Sequence, residues 1–551
     1  SDVCSSDLKK HGGNSNKHQA LKIYQAQCRK PEQVKAQVRV AINDLIKQGF
    51  MAELSTLPAD IQSDIANAPV FHFYPWRAVY KLDSVTTPVR VVVNPTITGL
   101  NEILAKGTNM LLSIPEILTR FRSHMHAWNT DVSKLYNRLF LEPKFYPLSL
   151  FLYSESLDPT TTPDTYVMLR AWYGVSSTGN QASVAIEQLA TQFKDEFPLA
   201  HDLLTKARYV DDILGGADSD EIRERQIEET EKCLAKGGLS LKYVARSGQA
   251  PPPKASTDGV HVGCLGLRWD TLADTLAPGY ETSYFPKKVK GQATKHNVDL
   301  SQGDNLEKAL EDGSMTRVGV LSRVAEFYDP CGFWEPLKIQ MKLTLQNLNK
   351  LDWGDPVPPE DHKTWTKLFK LMEETRSDKL PRCFKPASSH PADDTRLICL
   401  ADASAEAAGA AIYAGVPQPG GQYSCQLVMS KSKLMKGTVP RNELEGILLT
   451  AEIAQIVSAA LSTPTEATLL FSDSNIAICW VLNGRKRLRA WVYNRVNAII
   501  SLLHVRAGSG GLVPLFHIPG PHNLADLVTK SRQISLSDYD CTSEWQVGLP
   551  W

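Results

Sequence analysis

The segment KARYVDDILGG, residues 206–216, places two aspartates side by side between apolar residues and a glycine pair. Neighbouring side chains in a strand point to opposite faces, so a shared task for Asp211 and Asp212 requires a hairpin turn here. Two carboxylates this close repel each other unless a cation neutralises them. A solvated Asp-Asp turn is the simplest alternative, but the flanking apolar residues argue against it. A third carboxylate, Asp131, ends another strand-like stretch 80 residues before Asp211.

The composition is typical of soluble globular protein. The 551 residues are 42% hydrophobic and 22% charged, with 60 basic and 60 acidic residues, and this length predicts about three to five domains. Any surface that binds nucleic acid must therefore be local. The ten cysteines form no CxxC pair or zinc-spaced cluster, which favours a reducing, intracellular compartment. Glu445 and Glu452 interrupt the apolar run 444–461, so the sequence predicts no membrane partner.

Hydrophobic periodicity predicts the order of the elements. Helices are expected over 31–50 and 218–236, strands over 89–95 and 166–175, and a strand leading into a periodic segment over 126–141. Residues 247–259 have the composition of a linker, and a helix-rich region is expected up to about 380. From residue 396 onward, strand-like and helix-like segments alternate, which predicts an α/β domain.

Several blocks of this sequence resemble one family of retroelements. YVDD matches the tyrosine-x-aspartate-aspartate motif of reverse transcriptases, and Asp131 in NTDVSKLYNRL resembles their first catalytic aspartate. The collinear blocks TTPVRVVVNPT, LNEILAKGTNML, YGVSSTGNQA, GCLGLRWDTLADTL and VGVLSRVAEFYDPCGFWEPLK resemble BEL/Pao long-terminal-repeat retrotransposon polyproteins. The resemblance runs from about residue 34 to the C-terminus. It implies a multidomain α+β fold, in which polymerase palm, fingers and thumb precede a connection and an α/β ribonuclease H-like domain.

The resemblance also implies domain boundaries. We expect an N-terminal helical extension at 9–69, fingers and palm at 70–250, a thumb-like region and linker at 251–314, a helical connection at 315–395, a ribonuclease H-like domain at 396–532, and the truncated start of a downstream segment at 533–551. Residues 1–8, SDVCSSDL, resemble the translation of a sequencing adapter and are left out of the fold prediction.

For the first acidic site, the resemblance implies a nucleotidyltransferase. Asp131, Asp211 and Asp212 would hold two Mg²⁺ ions, and the carbonyl of Val132 would add a ligand. The resemblance further implies that Arg90 clamps the triphosphate of a deoxynucleotide with help from Lys81, and that Tyr136 excludes a ribose 2′-hydroxyl. Without the resemblance, the simpler interpretation of Arg90 is an exposed strand residue, and that of Tyr136 is a core aromatic residue. The chain departs from its relatives at Asn94, Gly179, Trp76 and Arg77.

A second set of acids lies in the C-terminal α/β segment. Each acid comes at the end of an element beside apolar sequence, and the set is Asp402, Glu443, Asp473 and Asp526. Each of these acids, taken alone, is explained as well by a helix cap or a surface acid. The order of the four acids along the chain is similar to that in ribonuclease H. Glu445 is the rival of Glu443, and the similarity of PRNEL to the family's PRLEL favours Glu443.

The resemblance implies that this quartet holds two Mg²⁺ ions, with Mn²⁺ as a substitute, and hydrolyses RNA. His517 and His522 are candidates for a general base, although a plain loop histidine is the simpler interpretation. The basic run GRKRLRAW lies close to Trp480 and Trp491 and is expected to grip a hybrid backbone through Arg485, Lys486, Arg487 and Arg489. A solvated basic helix start explains this run nearly as well.

The sequence thus predicts an RNA- and DNA-directed DNA polymerase with ribonuclease H (endonuclease) activity. Its expected partners are an RNA template, a DNA primer, their hybrid, deoxynucleotides and other products of the same polyprotein, in cytoplasmic retroelement particles. One alternative is a decayed or co-opted copy that binds nucleic acid without catalysis. Another is a Pao-type peptidase segment, although the chain lacks an Asp-Thr-Gly or Asp-Ser-Gly motif.

Overall fold

The computed structural model describes most of the chain. The described residues are 13–80, 89–256, 258–280, 283–284, 298–299, 303–385, 395–418, 421–463, 467–483, 488–504 and 514–549. Four residues with a predicted function lie outside them: Lys81, Arg485, Lys486 and Arg487.

Helices and strands alternate along the chain in a mixed α and β fold. The α-helices are α1 Gly13–Cys28, α2 Glu32–Lys47, α3 Ala59–Ala66, α4 Leu100–Ile103, α5 Ile114–Arg122, α6 Leu135–Arg138, α7 Thr178–Gln192, α8 Pro198–Lys206, α9 Asp220–Lys236, α10 Gly303–Glu311, α11 Arg317–Glu326, α12 Glu335–Leu345, α13 Pro359–Thr375, α14 Val439–Leu461, α15 Asn475–Asn483, α16 Ala490–His504 and α17 Glu544–Val547. Short 3₁₀ helices span Leu54–Thr56, Pro95–Thr98, Pro143–Leu148, Gln346–Lys350, Gly520–His522, Leu524–Val528 and Leu536–Asp538.

The strands form six separate sheets within the described residues. They are β1 Met51–Glu53, β2 Trp76–Tyr80, β3 Val89–Val93, β4 His126–Asp131, β5 Leu150–Tyr153, β6 Asp164–Met168, β7 Arg208–Tyr209, β8 Asp212–Ala217, β9 Ala245–Arg246, β10 His261–Cys264, β11 Leu267–Asp270, β12 Thr275–Pro278, β13 Ser283–Tyr284, β14 Val298–Asp299, β15 Leu380–Pro381, β16 Arg396–Ala403, β17 Ala407–Pro417, β18 Tyr423–Leu434, β19 Thr468–Ser472 and β20 Leu515–His517.

The N-terminal elements agree with the sequence prediction except at one strand. The helix expected over 31–50 is α2, and the strand expected over 89–95 is β3, which pairs antiparallel with β2 and ends before Pro95. The strand expected over 166–175 is wrong from residue 169 onward, because β6 ends at Met168. Beyond it the Leu169 amide bonds to the Phe50 carbonyl, and Gly174 takes a left-handed φ of 95°. The β6 strand is the centre of the β1-β6-β5 sheet.

The DD motif lies in a four-stranded antiparallel sheet of order β7-β8-β4-β9. Tyr209 pairs with Asp212, which leaves Val210 and Asp211 as a two-residue hairpin turn and confirms the predicted hairpin. Val210 has a φ of 55°, a left-handed conformation that is costly for a β-branched residue. The turn therefore carries backbone strain at the position that orients both aspartates.

The glycine pair that follows the motif is required by close packing. A Cβ atom at Gly215 would overlap the indole of Trp128, which is fully buried and whose Nε1 donates to Gln226 at 3.1 Å. We expect Gly215→Ala to lower the free energy of unfolding by about 3 kcal/mol, as overpacked cores do. Gly263→Ala is the matched strand control, since a Cβ there meets nothing within 4 Å. Chemical denaturation measures both changes, and equal stability of the two variants would contradict this packing argument.

The middle of the chain consists of the sheet β10-β11-β12-β15 and a layer of helices, α10 to α13. The helix-rich region expected before residue 380 is confirmed by α11, α12 and α13. Their buried residues share one core with part of the C-terminal sheet, and this core includes Phe333, Trp334 and Trp365. Residues 536–549 also pack here, with Tyr539 and Trp545 fully buried and the Trp545 indole donating to the Phe333 carbonyl at 2.8 Å.

The C-terminal sheet has the order β18-β17-β16-β19-β20. Its first three strands pair antiparallel, whereas β19 runs parallel to both β16 and β20. The predicted α/β domain is therefore confirmed. The sequence analysis did not predict β18, because polar and apolar residues mix along 423–434. It also did not predict α16, because the segment 490–504 begins within a basic run.

Within the described ranges, one helix, α14, is long and apolar enough to cross a membrane by length and composition. Of its most apolar window, 61% is buried inside the protein. The helix packs on β16, β17 and α16, which is the environment expected for the core helix of a domain.

Candidate active sites

The first site forms where β4 ends and β8 begins. Asp131 is directly opposite Asp212 in the antiparallel register, and the Val132 amide donates to the Asp211 carbonyl at 2.8 Å. The structure thus brings Asp131 beside the Asp211–Asp212 pair, although 80 residues separate Asp131 from Asp211 in the sequence. The two strands hold them through backbone bonds, so the arrangement does not depend on the carboxylates themselves.

Burial and mutual repulsion shift the protonation of the DD pair. Burial raises the pKa of Asp212 to about 7, and the charges of Asp211 and Asp131 add to this shift. The pKa of Asp211 is also raised, first by burial and then by Asp131. Two neighbouring carboxyl groups with raised pKa values need a nearby positive charge if both are to be ionised at the same time.

Lys242 supplies one such charge. Its Nζ lies 3.1 Å from Oδ2 of Asp131, and its backbone amide donates to the Asp131 carbonyl at 2.8 Å. The lysine also lowers the pKa of both Asp211 and Asp212. Among the described residues, the ligand oxygens of the three aspartates do not all lie within 4.8 Å of one another. The sequence analysis did not identify Lys242, which lies outside the blocks that carry the family resemblance.

A second residue that the sequence did not reveal is Arg208, which is buried beneath the turn. Its guanidinium donates to the carbonyls of Val210 at 2.9 Å, Leu204 at 3.3 Å and Ser183 at 3.3 Å. Burial lowers the pKa of Arg208 to about 10, which leaves it charged at neutral pH. The arginine therefore fastens the strained turn to α7 and α8.

The other residues predicted for this site are placed as follows. Arg90 is exposed on β3, and its charge lowers the pKa of Asp211. Tyr136 lies in α6, with its ring 4.9 Å from that of Tyr173 in an edge contact. Burial raises the pKa of Tyr136 to about 12, and the charge of Asp211 adds to this. Val132 is buried and its amide is bound to Asp211.

Two of the departures from the family pattern, Trp76 and Asn94, have structural roles. Trp76 is buried in β2, stacks on Phe151 and donates its indole N–H to the Leu152 carbonyl at 2.8 Å. The backbone amide of Asn94 donates to the Pro75 carbonyl at 2.9 Å, and this hydrogen bond closes the β2–β3 ribbon. Gly179 lies in the first turn of α7, where a Cβ would meet only the Tyr136 hydroxyl at 3.9 Å.

The second site lies on the C-terminal sheet. Asp402 comes from β16, Glu443 from the start of α14 and Asp473 from the residue after β19. One ligand oxygen from each of the three lies within 4.8 Å of the others, the only such metal-capable group in the described ranges. The parallel pairing of β16 with β19 creates this geometry, because it aligns the ends of both strands.

Burial raises the pKa of two of these acids. The pKa of Glu443 rises to about 8, with further contributions from Asp402 and Asp473. The pKa of Asp402 rises to about 6, with Asp473 and Asp526 adding to the effect of burial and a hydrogen bond from Thr529 opposing it. Asp402 and Glu443 therefore both resist ionisation unless a cation lies beside them.

The structure distinguishes Glu443 from its rival Glu445. Oε2 of Glu443 is buried without a hydrogen-bond partner, beside the other two acids. Glu445 turns away and accepts from Arg495 Nε at 2.5 Å and from Lys433 Nζ at 3.5 Å. The preference for Glu443 therefore agrees with the geometry.

Asp526 lies near the trio but is not part of the group. Its carboxylate accepts from Lys530 and Arg532. Burial would raise the pKa of Asp526, but the hydrogen bonds from these two cations outweigh burial and lower it. The sequence prediction that all four acids converge therefore differs from the structure at this residue, because local cations already balance its charge.

Gly446 lets α14 approach β16 closely enough to bring Glu443 to Asp402. A Cβ at this position would lie 2.8 Å from the Asp402 carbonyl oxygen. We expect Gly446→Ala to lower the free energy of unfolding by about 1–2 kcal/mol and to weaken Mn²⁺ binding in calorimetric titration, although alanine is the better helix former. Gly179→Ala, at an uncrowded helical glycine, is the control. Unchanged Mn²⁺ affinity in Gly446→Ala would contradict this role.

The predicted histidines do not join the trio. His517, at the end of β20, and His522, in a 3₁₀ helix, are both exposed. One polar neighbour of the trio that the sequence analysis missed is Asn523, which is buried. Its side-chain amide donates to the Ala401 carbonyl at 3.0 Å and to Asp473 Oδ1 at 3.4 Å. This amide fixes Asp473 with respect to β16.

Part of the predicted basic surface is described. Arg489 is exposed just before α16, and Trp491 lies between two arginines, with the guanidinium carbon of Arg495 3.9 Å and that of Arg441 5.2 Å from its ring centroid. Trp491 is half-buried against the sheet core. The sequence analysis grouped Trp491 with the basic run but did not identify Arg441 and Arg495, the two arginines over its ring.

The second site fits a divalent cation. Its donors are hard carboxylate oxygens, which Mg²⁺ and Mn²⁺ prefer, and the unpartnered Glu443 oxygen provides a free ligand atom. The first site has the same donor type, but Asp131 is paired with Lys242. Asp402, Glu443 and Asp473 are therefore the residues that would hold an ion as the structure stands.

Comparison with known proteins agrees with this geometry. Residues 316–474, which contain Asp402, Glu443 and Asp473, match a family model described as a Pao retrotransposon-like RNaseH-like domain. The predicted resemblance to Pao-type retroelements is confirmed. No curated protein sequence matches the chain.

Solved structures of foamy viral protease-reverse transcriptase are similar in fold. One, in complex with RNA/DNA hybrid, has a TM-score of 0.52 at 13% identity over 92% of this chain. Another, in complex with double-stranded DNA, has a TM-score of 0.48 at 15% identity over 87% of this chain and 68% of its own. The chain spans 56% of the length of the first of these proteins. At 13% identity, the first of these similarities concerns the fold alone.

Proposed function

We propose that the chain is an RNA- and DNA-directed DNA polymerase that also degrades the RNA strand of the hybrid it makes. The observation that carries the proposal is the presence of two separate, partly buried acidic sites in one chain, one in a strand–turn–strand hairpin and one on the C-terminal sheet. The similar foamy viral protein was solved with an RNA/DNA hybrid, which supports the same class of partner here.

At the first site, Asp131, Asp211 and Asp212 would hold two Mg²⁺ ions. When bound, these ions neutralise the charge that develops on the attacking and leaving oxygens of an in-line phosphoryl transfer. Lys242 would release Asp131 to a cation, and Arg208 would keep the turn in place. Arg90, with Lys81, would bind the triphosphate, the carbonyl of Val132 would add a ligand, and Tyr136 would contact the sugar.

At the second site, Asp402, Glu443 and Asp473 would hold the cations for hydrolysis of an RNA phosphodiester. We assign Asp526 to the same centre, where it would become a ligand only after leaving Lys530 and Arg532. The exposed Arg489, with Arg485, Lys486 and Arg487, would contact the backbone of the hybrid. We further propose that residues 70–250 form fingers and palm, 251–314 the thumb-like region, 315–395 the connection and 396–532 the nuclease domain.

Primer extension on an RNA template tests the polymerase. With Mg²⁺ and deoxynucleotides, the unmodified chain should lengthen a labelled DNA primer, and Asp211→Asn should not. Negligible extension by both proteins would remove the polymerase from the proposal. A template of DNA in the same assay tests whether both template types are copied.

Degradation of a labelled RNA strand within a hybrid tests the nuclease. The unmodified chain should cut the RNA in the presence of Mg²⁺, whereas Asp473→Asn should leave it intact. Cleavage that survives in Asp473→Asn would assign the activity to other residues. Because this assay needs no deoxynucleotide, it is independent of the first.

One observation favours a second candidate, a copy that binds nucleic acid without polymerising. Asp131 is paired with Lys242, and the three aspartates do not converge on one point within the described residues. This candidate predicts hybrid binding without primer extension even at high Mg²⁺ concentration, so the first assay separates the two.

A further inference from the structure

Arg120 joins two helices that lead toward different acidic sites. It lies in α5, and its guanidinium donates to three backbone carbonyls outside that helix. Nε and Nη2 donate to Ala460 and Ala459, in the last turn of α14, at 3.1 Å and 3.2 Å. Nη1 donates to the carbonyl of Lys206, the last residue of α8, at 3.2 Å. One side chain therefore bonds to the C-terminal ends of both helices.

The charge and shape of Arg120 suit this position. The last four carbonyls of an α-helix have no partner within the helix, and the helix dipole places partial negative charge there. Two such helix ends repel each other when they approach. A guanidinium is positively charged and carries five N–H donors in a fixed plane, so it can bond to the carbonyls of both ends at once. Arg120 thus makes an otherwise unfavourable approach of two helix ends attractive.

The helix that carries Arg120 is fixed to the first site. Leu118 and Phe121 of α5 are buried in one core with Leu214 of β8, a strand of the sheet that contains the first site. The Phe121 carbonyl, near the end of α5, accepts from Arg382 at 2.6 Å. The guanidinium of Arg120 therefore projects from a helix that is anchored to the sheet of the first site.

The helix α14 connects this contact to the second site. Glu443 lies near the start of α14 and Ala460 near its end, so a helical rise of about 1.5 Å per residue places them about 26 Å apart. Along this length α14 packs on β16, which contains Asp402. On the other side of the contact, Lys206 is five residues before Asp211. The contact between the two helix ends thus links both acidic sites through short, ordered elements.

Close packing does not hold these two helix ends together. Asp202 and Lys206 of α8, together with Ala459 and Ala460 of α14, line a cavity of about 450 Å³, and Arg120 lines it as well. A gap of this size removes van der Waals contacts between the elements that face it. The hydrogen bonds of Arg120 therefore supply the attachment between α8 and α14.

Arg122 gives α5 a second bond to the C-terminal sheet. Its Nη1 donates to the Leu427 carbonyl of β18 at 2.8 Å, and its Nε donates to the Arg382 carbonyl at 3.0 Å. Arg122 is buried, so its removal would leave buried carbonyls without partners and reduce folding stability. Arg120 is only partly buried and can be replaced with less effect on the fold.

We propose that Arg120 is a positioning residue that holds the trio Asp402, Glu443 and Asp473 at a fixed separation from the first site. This role rests on the proposed function, because it assumes that both sites act on one hybrid. A duplex held by its primer end at the first site then meets the second site at one place along its length. Without Arg120 each part keeps its own fold, but the separation of the two sites varies, since contacts between domains of one chain commonly permit motion.

Single-molecule energy transfer tests the Arg120 contact without catalysis or nucleic acid. Azido residues introduced at the exposed positions Glu231, in α9, and Ile476, in α15, carry the two dyes. The otherwise unmodified chain should give one narrow distribution of transfer efficiency, and Arg120→Ala should widen this distribution about twofold. Thermal melting should show that the variant remains folded.

The matched control for this measurement is Arg39→Ala. Arg39 is also partly buried, and its guanidinium donates to the carbonyls of Glu155 at 2.8 Å and Ser156 at 3.2 Å. These contacts lie within the N-terminal part of the chain, so the variant should leave the distribution unchanged. An unchanged width in Arg120→Ala, or an equal widening in Arg39→Ala, would overturn the assignment.

The positions of RNA cleavage give a second readout. The substrate is a labelled RNA template with a DNA primer that ends within it, and no deoxynucleotide is added. The unmodified chain should cut in a narrow window measured from the primer end. Arg120→Ala should spread the cuts over about twice as many positions and change total cleavage less than about twofold.

The two readouts separate a positioning role from other outcomes. A loss of total cleavage in Arg120→Ala with an unchanged window would make Arg120 a purely structural residue and overturn the proposal. Absence of cleavage by the unmodified chain would contradict the proposed nuclease. In that case the energy-transfer measurement still decides whether Arg120 fixes the separation of the two sites.

Discussion

Glu443→Gln is expected to abolish cleavage of the RNA strand in a hybrid. The change neutralises a carboxylate whose buried Oε2 has no hydrogen-bond partner. Cation binding and the several kcal/mol that it contributes should therefore be lost, which lowers the rate about a thousandfold. Because burial raises the pKa of Glu443 to about 8, cation binding must also displace a proton near neutral pH. Calorimetric titration with Mn²⁺ should therefore show weaker binding and less proton release in the variant.

The matched control, Glu445→Gln, lies two residues away on the same helix. Glu445 binds Arg495 and Lys433 and does not contribute to the trio. This variant should retain Mn²⁺ binding and most of the cleavage, with some loss of stability because a partly buried guanidinium loses its partner. If Glu445→Gln abolished cleavage and Glu443→Gln did not, the assignment of the two glutamates would be reversed.

Asp212→Asn is expected to end primer extension and at the same time to stabilise the cation-free protein. Burial raises the folded-state pKa of Asp212 to about 7, from 3.8 in the unfolded chain. The stability that its protonated form contributes is fully present below pH 4 and is lost as the pH rises to about 7. Asparagine imitates the protonated form, so the gain should be near zero at pH 4 and about 2–4 kcal/mol above pH 7. Denaturant unfolding across this pH range in a metal chelator measures the gain.

Asp218→Asn, at the other end of the same hairpin, is the control. The Asp218 carboxylate lies 2.9 Å from His124 Nδ1, and this hydrogen bond lowers the pKa of Asp218. Its neutralisation should leave extension unchanged and reduce stability slightly, the opposite sign to Asp212→Asn. A stability loss in Asp212→Asn at pH 8 would contradict the repulsion inferred for the first site.

Some features of the sites could be predicted because local chemistry specifies them. The hairpin turn at Val210 and Asp211 could be predicted from two adjacent acids between apolar runs. The start of α14 could be predicted from PRNEL before a long apolar segment. The pairing of Asp131 with Asp212 needed the family resemblance, since no local pattern links two strands 80 residues apart.

Other features depend on tertiary contacts that no short pattern contains. Lys242 contacts Asp131 because the fold places the end of β4 beside the segment that contains Lys242. Arg208 is buried because α7 and α8 pack against the hairpin turn. Asp526 was grouped with the other acids by its order in the chain, but Lys530, four residues later, already binds its carboxylate. The packing of Trp545 against Phe333 likewise depends on residues more than 200 positions apart.

The central claim is that one chain contains two independent acidic centres for two reactions. The most direct measurement follows both reactions on a single substrate, a labelled RNA template annealed to a differently labelled DNA primer, with Mg²⁺ and deoxynucleotides. The unmodified chain should extend the primer and then cut the RNA, Asp212→Asn should cut without extending, and Glu443→Gln should extend without cutting. Loss of both activities in either variant, with the fold intact by circular dichroism, would contradict the existence of two separate centres.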